Sequence, residues 1–336
     1  MSVITHENVG FPLAGTNAEF SGMLTGCCVF DLTDRARIAL TGGDRMRWLN
    51  GMVTNNIRDL AVGHGVYAFL LNPQGHILGD LHAYNRGDSV LIETEKRQVE
   101  KLLATFDHYI IMDDVEVSEL SGKLAGIGLA GPRASAILRG AGVDAASLEP
   151  LQIKDLNSNA TIARGDMPGV ESYEIWLTPE DHDQLWNKLL ESGGQPVNTA
   201  TLELLRIAAG IPRYGQDIRE RDLPQETEQS RALNFNKGCY VGQEIVERIR
   251  SRGAVHRKFT GFEVEGPLPA IGARIQSEGR DIGEITSAAN LSLPAGERSV
   301  ALGYIRRELA TSGRKFQLEN TTLAIANVPF AGIFPA

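Results

Sequence analysis

The segment from residue 237 to residue 244, KGCYVGQE, combines residue types that could do chemistry. Its Cys239 is one of only 3 cysteines in the chain and lies between Gly238 and Gly242, close to Lys237. A thiol beside a lysine and just before a helix start is a candidate for a lowered pKa and for reactivity. A tight turn around a buried cysteine is the competing interpretation, because free cysteines usually behave as small hydrophobic residues.

A second polar cluster is predicted on a strand over residues 76–84. His76, Asp80 and His82 share one face of such a strand. Because a strand rises about 3.3 Å per residue, His76 and Asp80 would be about 13 Å apart. One metal ion cannot bridge that distance, and we predict no metal site. The face is either a solvated surface or a wall that contacts a ligand, where Asp80 could accept a hydrogen bond or act as a general base.

These residues require elements that position them. Alternating apolar residues predict a strand over 67–71, and the turn signal NPQG at 72–75 joins it to the polar strand in a hairpin. Apolar residues from Val99 to Phe106 have the spacing of an amphipathic helix. Strands and helices intermingle up to residue 210, with hairpins as well as crossovers. This pattern favours an α+β fold of split β-α-β (ferredoxin-like) type over a parallel sheet.

The chain is predicted to divide into four parts. From residue 258 onward, short strand-like segments are separated by Gly and Pro, which is typical of a small β-barrel. The predicted parts are a discontinuous α+β domain over 1–40 and 121–212, a second α+β domain over 41–120, a connector over 213–257, and a C-terminal β-barrel over 258–336.

The composition of the chain argues against several classes of protein. The chain of 336 residues has a net charge of −9, which argues against nucleic-acid binding because that binding requires cationic neutralisation of phosphate. No apolar run reaches the length of a membrane helix, and the N-terminal segment has no signal-peptide core. Cys27 and Cys28 suit a reduced core better than a disulfide. We therefore expect a cytoplasmic protein and, by default, a monomer.

One segment departs from the acidic average. Between residues 248 and 258 the chain is cationic and has no acid. This run is either solvated surface or a patch that attracts an anionic ligand or an acidic partner. The cations are Arg248, Arg250, Arg252, Arg257 and Lys258.

Residues 236–244, NKGCYVGQE, resemble the signature of the YgfZ family of folate-binding proteins, which are relatives of the glycine-cleavage T-protein, an aminomethyltransferase. Three further segments resemble T-proteins in the same order along the chain, and the region from Phe259 onward resembles their C-terminal barrel. The resemblance therefore covers roughly the whole chain. The three segments are VFDL at 29–32, GPRA at 131–134 and YGQD at 214–217.

The resemblance implies two α+β domains and a β-barrel around a central folate-binding cavity, with tetrahydrofolate or a one-carbon derivative as the cofactor. It matches the T-protein strand GGxxDDL to residues 75–81, where the first aspartate is Gly79 and the second is Asp80. It also places Glu174 where T-proteins hold the pterin ring. A carboxylate there could accept two adjacent N–H groups in a fork, whereas the residues alone also allow an exposed strand carboxylate.

Three positions depart from the T-protein pattern and weigh against aminomethyl transfer. They are Gly79, Met167 in place of a tyrosine, and Leu202 in place of an arginine, although Arg206 is kept. The gain of Cys239 points to the YgfZ branch, which that family links to assembly or repair of iron–sulfur enzymes.

We therefore expect a tetrahydrofolate-binding protein that supports iron–sulfur enzymes, with folate and iron–sulfur client proteins or assembly factors as partners. The alternative is a folate-dependent aminomethyltransferase or other one-carbon transferase. The predicted catalytic residues are Cys239, Asp80 and Lys237. The predicted folate-binding residues are Asp80, Glu174, Arg206, Gly238, Tyr240, Gly242, Gln243 and Glu244.

Overall fold

A computed structural model describes residues 13–253 and 255–334 of the chain. Its helices are α1 (Leu13–Met23), α2 (Arg45–Met52), α3 (Val99–Tyr109), α4 (Ala134–Gly140), α5 (Pro179–Glu191), α6 (Thr199–Ala209) and α7 (Gln243–Arg252). Its strands are β1 (Cys28–Asp31), β2 (Arg35–Thr41), β3 (Gly65–Leu71), β4 (Ile77–Asn85), β5 (Val90–Glu95), β6 (Glu116–Glu119), β7 (Ala125–Ala130), β8 (Ile153–Asn157), β9 (Ala160–Arg164), β10 (Ser172–Leu177), β11 (Gln195–Pro196), β12 (Arg257–Glu265), β13 (Arg274–Ser277), β14 (Arg280–Leu293), β15 (Gly296–Arg306), β16 (Lys315–Leu318) and β17 (Thr321–Ala326).

The first sheet has the order β11-β1-β7-β10-β9-β8, in which only the β1–β11 pair is parallel. Helices α4 and α5 cover one face and share a core with it that includes Ile127, Ile137, Ile175 and Leu189. The opposite face of β10 carries Glu174, because successive side chains of a strand point to opposite faces.

The second sheet is antiparallel, with the order β3-β4-β5-β2-β6. Helices α2 and α3 pack on it through Leu49, Leu102 and Phe106. Strand β2 belongs to this sheet, so the predicted boundary at residue 40 falls inside a strand of the second sheet. A tight turn, in which Arg35 N donates to Leu32 O, separates β1 from β2.

The C-terminal strands form a sheet of order β13-β14-β15-β12-β17-β16. Its edge strands β13 and β16 approach each other, so the sheet nearly closes into a barrel. The predicted fold class is confirmed: the protein is α+β, with two ferredoxin-like sheets and a barrel-like C-terminal sheet.

The region between α6 and β12 is more ordered than the predicted connector. It contains two short 3-10 turns, Pro224–Glu226 and Ser230–Ala232, followed by α7. Asp222 of this region is fully buried and binds Arg257 of β12. Within the described part of the chain, no helix has both the length and the apolar character that a membrane span requires.

Candidate functional site

A central cavity of about 280 Å³ lies where the two α+β sheets, α6 and the following segment meet. Its size is close to the lower end of the range for small-molecule sites. Both predicted carboxylates line it, Asp80 from β4 and Glu174 from β10. The other charged or ionisable residues in its wall are Arg35, Tyr67, His82, Tyr84, Glu95, Asp166, Tyr173, Glu203, Arg206, Arg213, Tyr214 and Arg231.

Asp80 is held in place by two side chains. Tyr67 Oη donates to Oδ2 at 2.7 Å, and Gln98 Nε2 donates to Oδ1 at 2.7 Å. Gln98 also accepts from the backbone N–H of Asp80 at 3.0 Å, so one glutamine fixes both ends of the residue. The carboxylate is therefore oriented before any ligand arrives.

Gly79 does not remove a carboxylate from the cavity. A Cβ at this position would lie 2.9 Å from Leu102 Cδ1 and 3.0 Å from Gln98 Oε1, on the side of α3. A side chain at position 79 would therefore point toward the α3 side of the sheet, away from the ligand. In this chain the glycine makes room for the glutamine that holds Asp80.

Glu174 offers one free carboxylate oxygen. Trp176 Nε1 donates to Oε2 at 2.9 Å, and Arg37 Nη2 lies 3.8 Å from the same oxygen. Among the described residues, Oε1 has no hydrogen-bond partner. Burial, together with the negative charge of Glu93, raises the pKa of Glu174, while Arg35 and Arg37 oppose this rise. A ligand that donates N–H groups would stabilise the ionised form.

A charged network spans the cavity floor. Arg35 binds Glu93 through two N–H groups, and Glu93 Oε2 lies 3.4 Å from His82 Nδ1. His82 Nε2 lies 3.6 Å from Asp166 Oδ1, and Asp166 in turn binds Arg231. Burial opposes the charge on His82, but the two flanking carboxylates outweigh it and raise its pKa to about 9. The pKa values of Glu93 and Asp166 are lowered in return, against the effect of burial.

Arg206 lines the cavity but is engaged elsewhere. Its Nε and Nη2 bind Glu203, its Nη1 binds Ile211 O and Asp217, and its Nη2 also donates to Ser287 Oγ at 2.8 Å. A guanidinium has five N–H groups, and these contacts use all of them. Arg206 therefore joins α6 to the barrel, and its role in folate binding stays a prediction.

Lys237 is likewise engaged in structural hydrogen bonds. Its ammonium donates to the carbonyl oxygens of Asn50, Val53 at 2.6 Å and Asn55 at 2.8 Å, at the carboxyl end of α2. An ammonium has three N–H groups, so none is left for Cys239. Cations at this end of a helix also interact favourably with its dipole. The prediction that Lys237 promotes a thiolate at Cys239 is not supported by this geometry.

The rest of the signature segment docks α7 onto the hairpin of β3 and β4. Gly242 has φ +80°, and a Cβ there would lie 2.5 Å from Asn72 O. Tyr240 is buried beside Tyr67 and Phe69, and Gln243 Oε1 accepts from the Tyr240 N–H at 3.3 Å. Gly238, Cys239 and Glu244 are exposed. None of the five residues predicted to bind folate from this segment, Gly238, Tyr240, Gly242, Gln243 and Glu244, lines the central cavity, and their role in folate binding stays a prediction.

The three cysteines differ in environment. Cys239 is exposed, whereas Cys27 and Cys28 are buried, and burial raises the pKa of each of these two thiols to about 12. The core interpretation of Cys27 and Cys28 is confirmed. Turns flank Cys239 at residues 235–236 and 240–243, but the cysteine itself is exposed, so the interpretation as a buried cysteine is wrong.

Three cations of the run over 248–258 have acidic partners. Arg257 binds Asp222 and Glu226, Lys258 lies 3.2 Å from Glu228, and Arg250 lies 3.4 Å from Glu247. The acids come from the preceding segment and from α7, so the patch is weaker than its sequence indicates. In the described ranges, no group of three or more His, Cys, Asp and Glu residues could hold a metal ion.

Sequence reasoning missed most of the cavity wall. Tyr67 and Gln98 donate hydrogen bonds to Asp80, and Asp166 lies beside His82. Each of the three is far along the chain from the residue that it contacts. One signal was available: in the predicted hairpin, Tyr67 pairs directly with His82 and shares its face with Asp80.

Comparisons with known proteins agree with this architecture. The family described as the GCVT N-terminal domain matches residues 9–237. The aminomethyltransferase of Rubrobacter xylanophilus is 30% identical over 302 residues, covering 88% of this chain and 80% of that protein. That of Bacillus subtilis is 25% identical, covering 90% of this chain and 85% of that protein. The crystal structure of glycine cleavage system aminomethyltransferase T from Bartonella henselae superposes with a TM-score of 0.86 at 23% identity, covering 96% of this chain and 91% of that one.

These matches define an aminomethyltransferase-like fold. The chain belongs to the GCVT family.

Proposed function

We propose that this protein binds tetrahydrofolate, or a one-carbon derivative of it, in the central cavity. The observation that carries the proposal is that Asp80 and Glu174, from two different sheets, line the same cavity. Each carboxylate is fixed by neighbours that leave the cavity open between them. The family to which the chain belongs gives folate as the natural candidate among ligands of this size.

Glu174 is proposed to hold the pterin ring. A pterin presents adjacent N–H donors, and the free Oε1 together with Oε2 could accept them in a fork. Such a contact replaces the water that a half-buried carboxylate would otherwise require. It also favours the ionised carboxylate, whose pKa in the empty cavity is raised by burial.

The test is calorimetric titration with tetrahydrofolate. We expect Glu174→Gln to weaken binding by roughly 10- to 100-fold, because an amide offers one acceptor and turns a donor toward the ring. Affinity of the native protein should fall as the pH is lowered through the raised pKa of Glu174, and the variant should lose that dependence.

Glu100→Gln is the matched control, since Glu100 is exposed at the start of α3 and lies outside the cavity. It should bind with unchanged affinity. Equal dissociation constants for the native protein and Glu174→Gln would contradict the proposed pterin contact. No binding by the native protein would contradict folate binding altogether.

For the biological role, we propose that the protein supports iron–sulfur enzymes, as the signature around Cys239 implies for the YgfZ group. Two points support this finer assignment. Cys239 is exposed and outside the cavity, so its thiol is accessible to a partner protein rather than to the folate. Met167 and Leu202, two of the departures from the T-protein pattern, line the cavity, so the ligand environment differs from that of a T-protein.

Aminomethyl transfer is the second candidate and is equally well supported. The curated relatives are aminomethyltransferases, and Asp80 is oriented toward the cavity by Tyr67 and Gln98. Position 79 points away from the ligand, so its glycine is not an argument against transfer.

Cys239→Ser separates the two roles. In the accessory role, it should leave the dissociation constant for tetrahydrofolate within about twofold, because the residue is outside the cavity. It should also abolish complementation of iron–sulfur enzyme activity in cells that lack this protein, with Ser251→Ala, another exposed change nearby, as the control. Formation of methylene-tetrahydrofolate from an aminomethyl donor, abolished by Asp80→Asn and unaffected by Cys239→Ser, would instead establish the transferase.

A further inference from the structure

A second cleft lies beside the central cavity and is built from different residues. It has a volume of about 370 Å³ and lies between the end of β1, the turn before β7 and the start of α5. Arg35 contributes to both spaces, whereas Arg37, Lys96 and His182 line only this one.

Arg37 is the unusual residue of this cleft. Its side chain is 3% exposed, and neither Nε nor Nη2 has a hydrogen-bond partner in residues 13–253 and 255–334. Its nearest charged neighbour is Glu174, at 3.8 Å, and its guanidinium carbon lies 5.7 Å from the Trp176 ring centroid. Burial lowers the pKa of Arg37, and Glu174 offsets this only in part. A buried cation without hydrogen bonds is costly unless a ligand supplies them.

The backbone leaves space for this guanidinium. A Cβ on Gly126 of β7 would lie 2.7 Å from Arg37 Nη2 and 3.0 Å from Nη1. Any other residue at position 126 would displace the arginine from the cleft. The glycine of the neighbouring strand therefore leaves the space that the Arg37 guanidinium occupies.

The charge of the cleft favours an anion. Lys96 is exposed at the rim and has no ion-pair partner among the described residues. The acid in the wall, Asp31, is already close to a cationic partner, since its Oδ2 lies 3.3 Å from His182 Nε2. Arg35 is paired with Glu93, and Arg37 lies 3.8 Å from Glu174 without a hydrogen bond to it, which leaves Lys96 as the unpaired cation among the described residues of the cleft and Arg37 as a weakly paired one.

We propose that this cleft is a binding site for a small oxyanion, a carboxylate or a phosphate, held by the guanidinium of Arg37 and the ammonium of Lys96. Arginine suits this role because its planar fork matches both groups and forms strong charge-assisted hydrogen bonds. The ligand would supply the acceptors that Arg37 lacks. This site is distinct from the proposed folate cavity, and its occupancy does not require folate.

The probes are inorganic phosphate and glutarate, titrated by calorimetry with sodium chloride adjusted to constant ionic strength. We expect at least one of them to bind the native protein and to raise its thermal midpoint above that in chloride alone. Arg37→Met and Lys96→Met should each weaken binding by about tenfold, as expected for loss of one charge-assisted contact. Lys315→Met, an exposed change on β16 and outside the cleft, should have no effect.

Which probe binds assigns the ligand class. Arg37→Met retains the length of the side chain but removes the cation 3.8 Å from Glu174, so its unfolding midpoint is measured beside its affinity. If that variant fails to fold, Lys96→Met, at an exposed position, decides the question alone. The site is refuted if neither probe exceeds chloride, or if Lys96→Met and Lys315→Met bind equally well.

Discussion

Replacing Asp217 by asparagine is expected to lower the free energy of unfolding by about 3–5 kcal/mol, the range for breaking a buried ion pair. Asp217 is fully buried, and its Oδ2 accepts from Arg206 Nη1 at 2.7 Å and from the Arg213 N–H at 2.9 Å. Its Oδ1 accepts from the hydroxyl groups of Thr286 and Ser287. An asparagine would place an NH₂ group against these donors and leave the charge of Arg206 less compensated.

The measurement is urea denaturation followed by circular dichroism. Asp107→Asn, at an exposed position on α3, is the matched control and should stay within about 0.5 kcal/mol of the native protein. If Asp217→Asn also lowered the free energy of unfolding by no more than about 0.5 kcal/mol, the buried charge of Arg206 would not depend on the carboxylate of Asp217. The expected loss would identify the pair as the joint between α6 and the barrel.

This joint is built around the YGQD segment at 214–217. Tyr214 Oη donates to Leu78 O at 2.5 Å, which ties the segment to the second sheet. Gln216 Nε2 donates to Ser287 Oγ at 2.8 Å, which ties it to the barrel. The segment therefore connects the second sheet to the barrel.

Local patterns predicted the elements that depend on neighbours in the chain. The hairpin of β3 and β4 and the helix α3 both follow from short-range spacing. Strand ends were less predictable. Strand β14 continues for 14 residues because a bulge between Ile285 and Ser287 absorbs an irregularity in its pairing with β15.

The roles of individual charges were harder to predict, because partners meet only in the folded chain. Lys237 is beside Cys239 in sequence, yet its ammonium binds carbonyl oxygens of residues 50–55. Arg206 has the charge that a folate-binding residue needs, but internal partners use all its N–H groups. Asp80 and Glu174 were placed in one cavity only through the family resemblance, since no local pattern relates the two strands.

His82 provides the second large effect, a stability that depends on pH. Its pKa is raised from 6.5 to about 9, because the carboxylates of Asp166 and Glu93 outweigh the cost of burial. A raised histidine pKa stabilises the folded state fully below pH 6.5, and this stabilisation is lost as the pH rises through 9. The difference corresponds to about 3 kcal/mol, since one pKa unit is about 1.4 kcal/mol.

We therefore expect the free energy of unfolding to fall by about 3 kcal/mol more in the native protein than in His82→Gln between pH 6.5 and pH 9.5. The variant keeps the pairs of Arg35 with Glu93 and of Arg231 with Asp166, so the two acids retain partners and the chain should fold. The difference between the two proteins removes the contribution that the other titrating groups make to the free energy of unfolding in this pH range. His108→Gln, at an exposed position, should follow the native curve. Parallel curves for the native protein and His82→Gln would mean that His82 is not charged in the cavity, and that its floor lacks the positive charge placed between the two carboxylates.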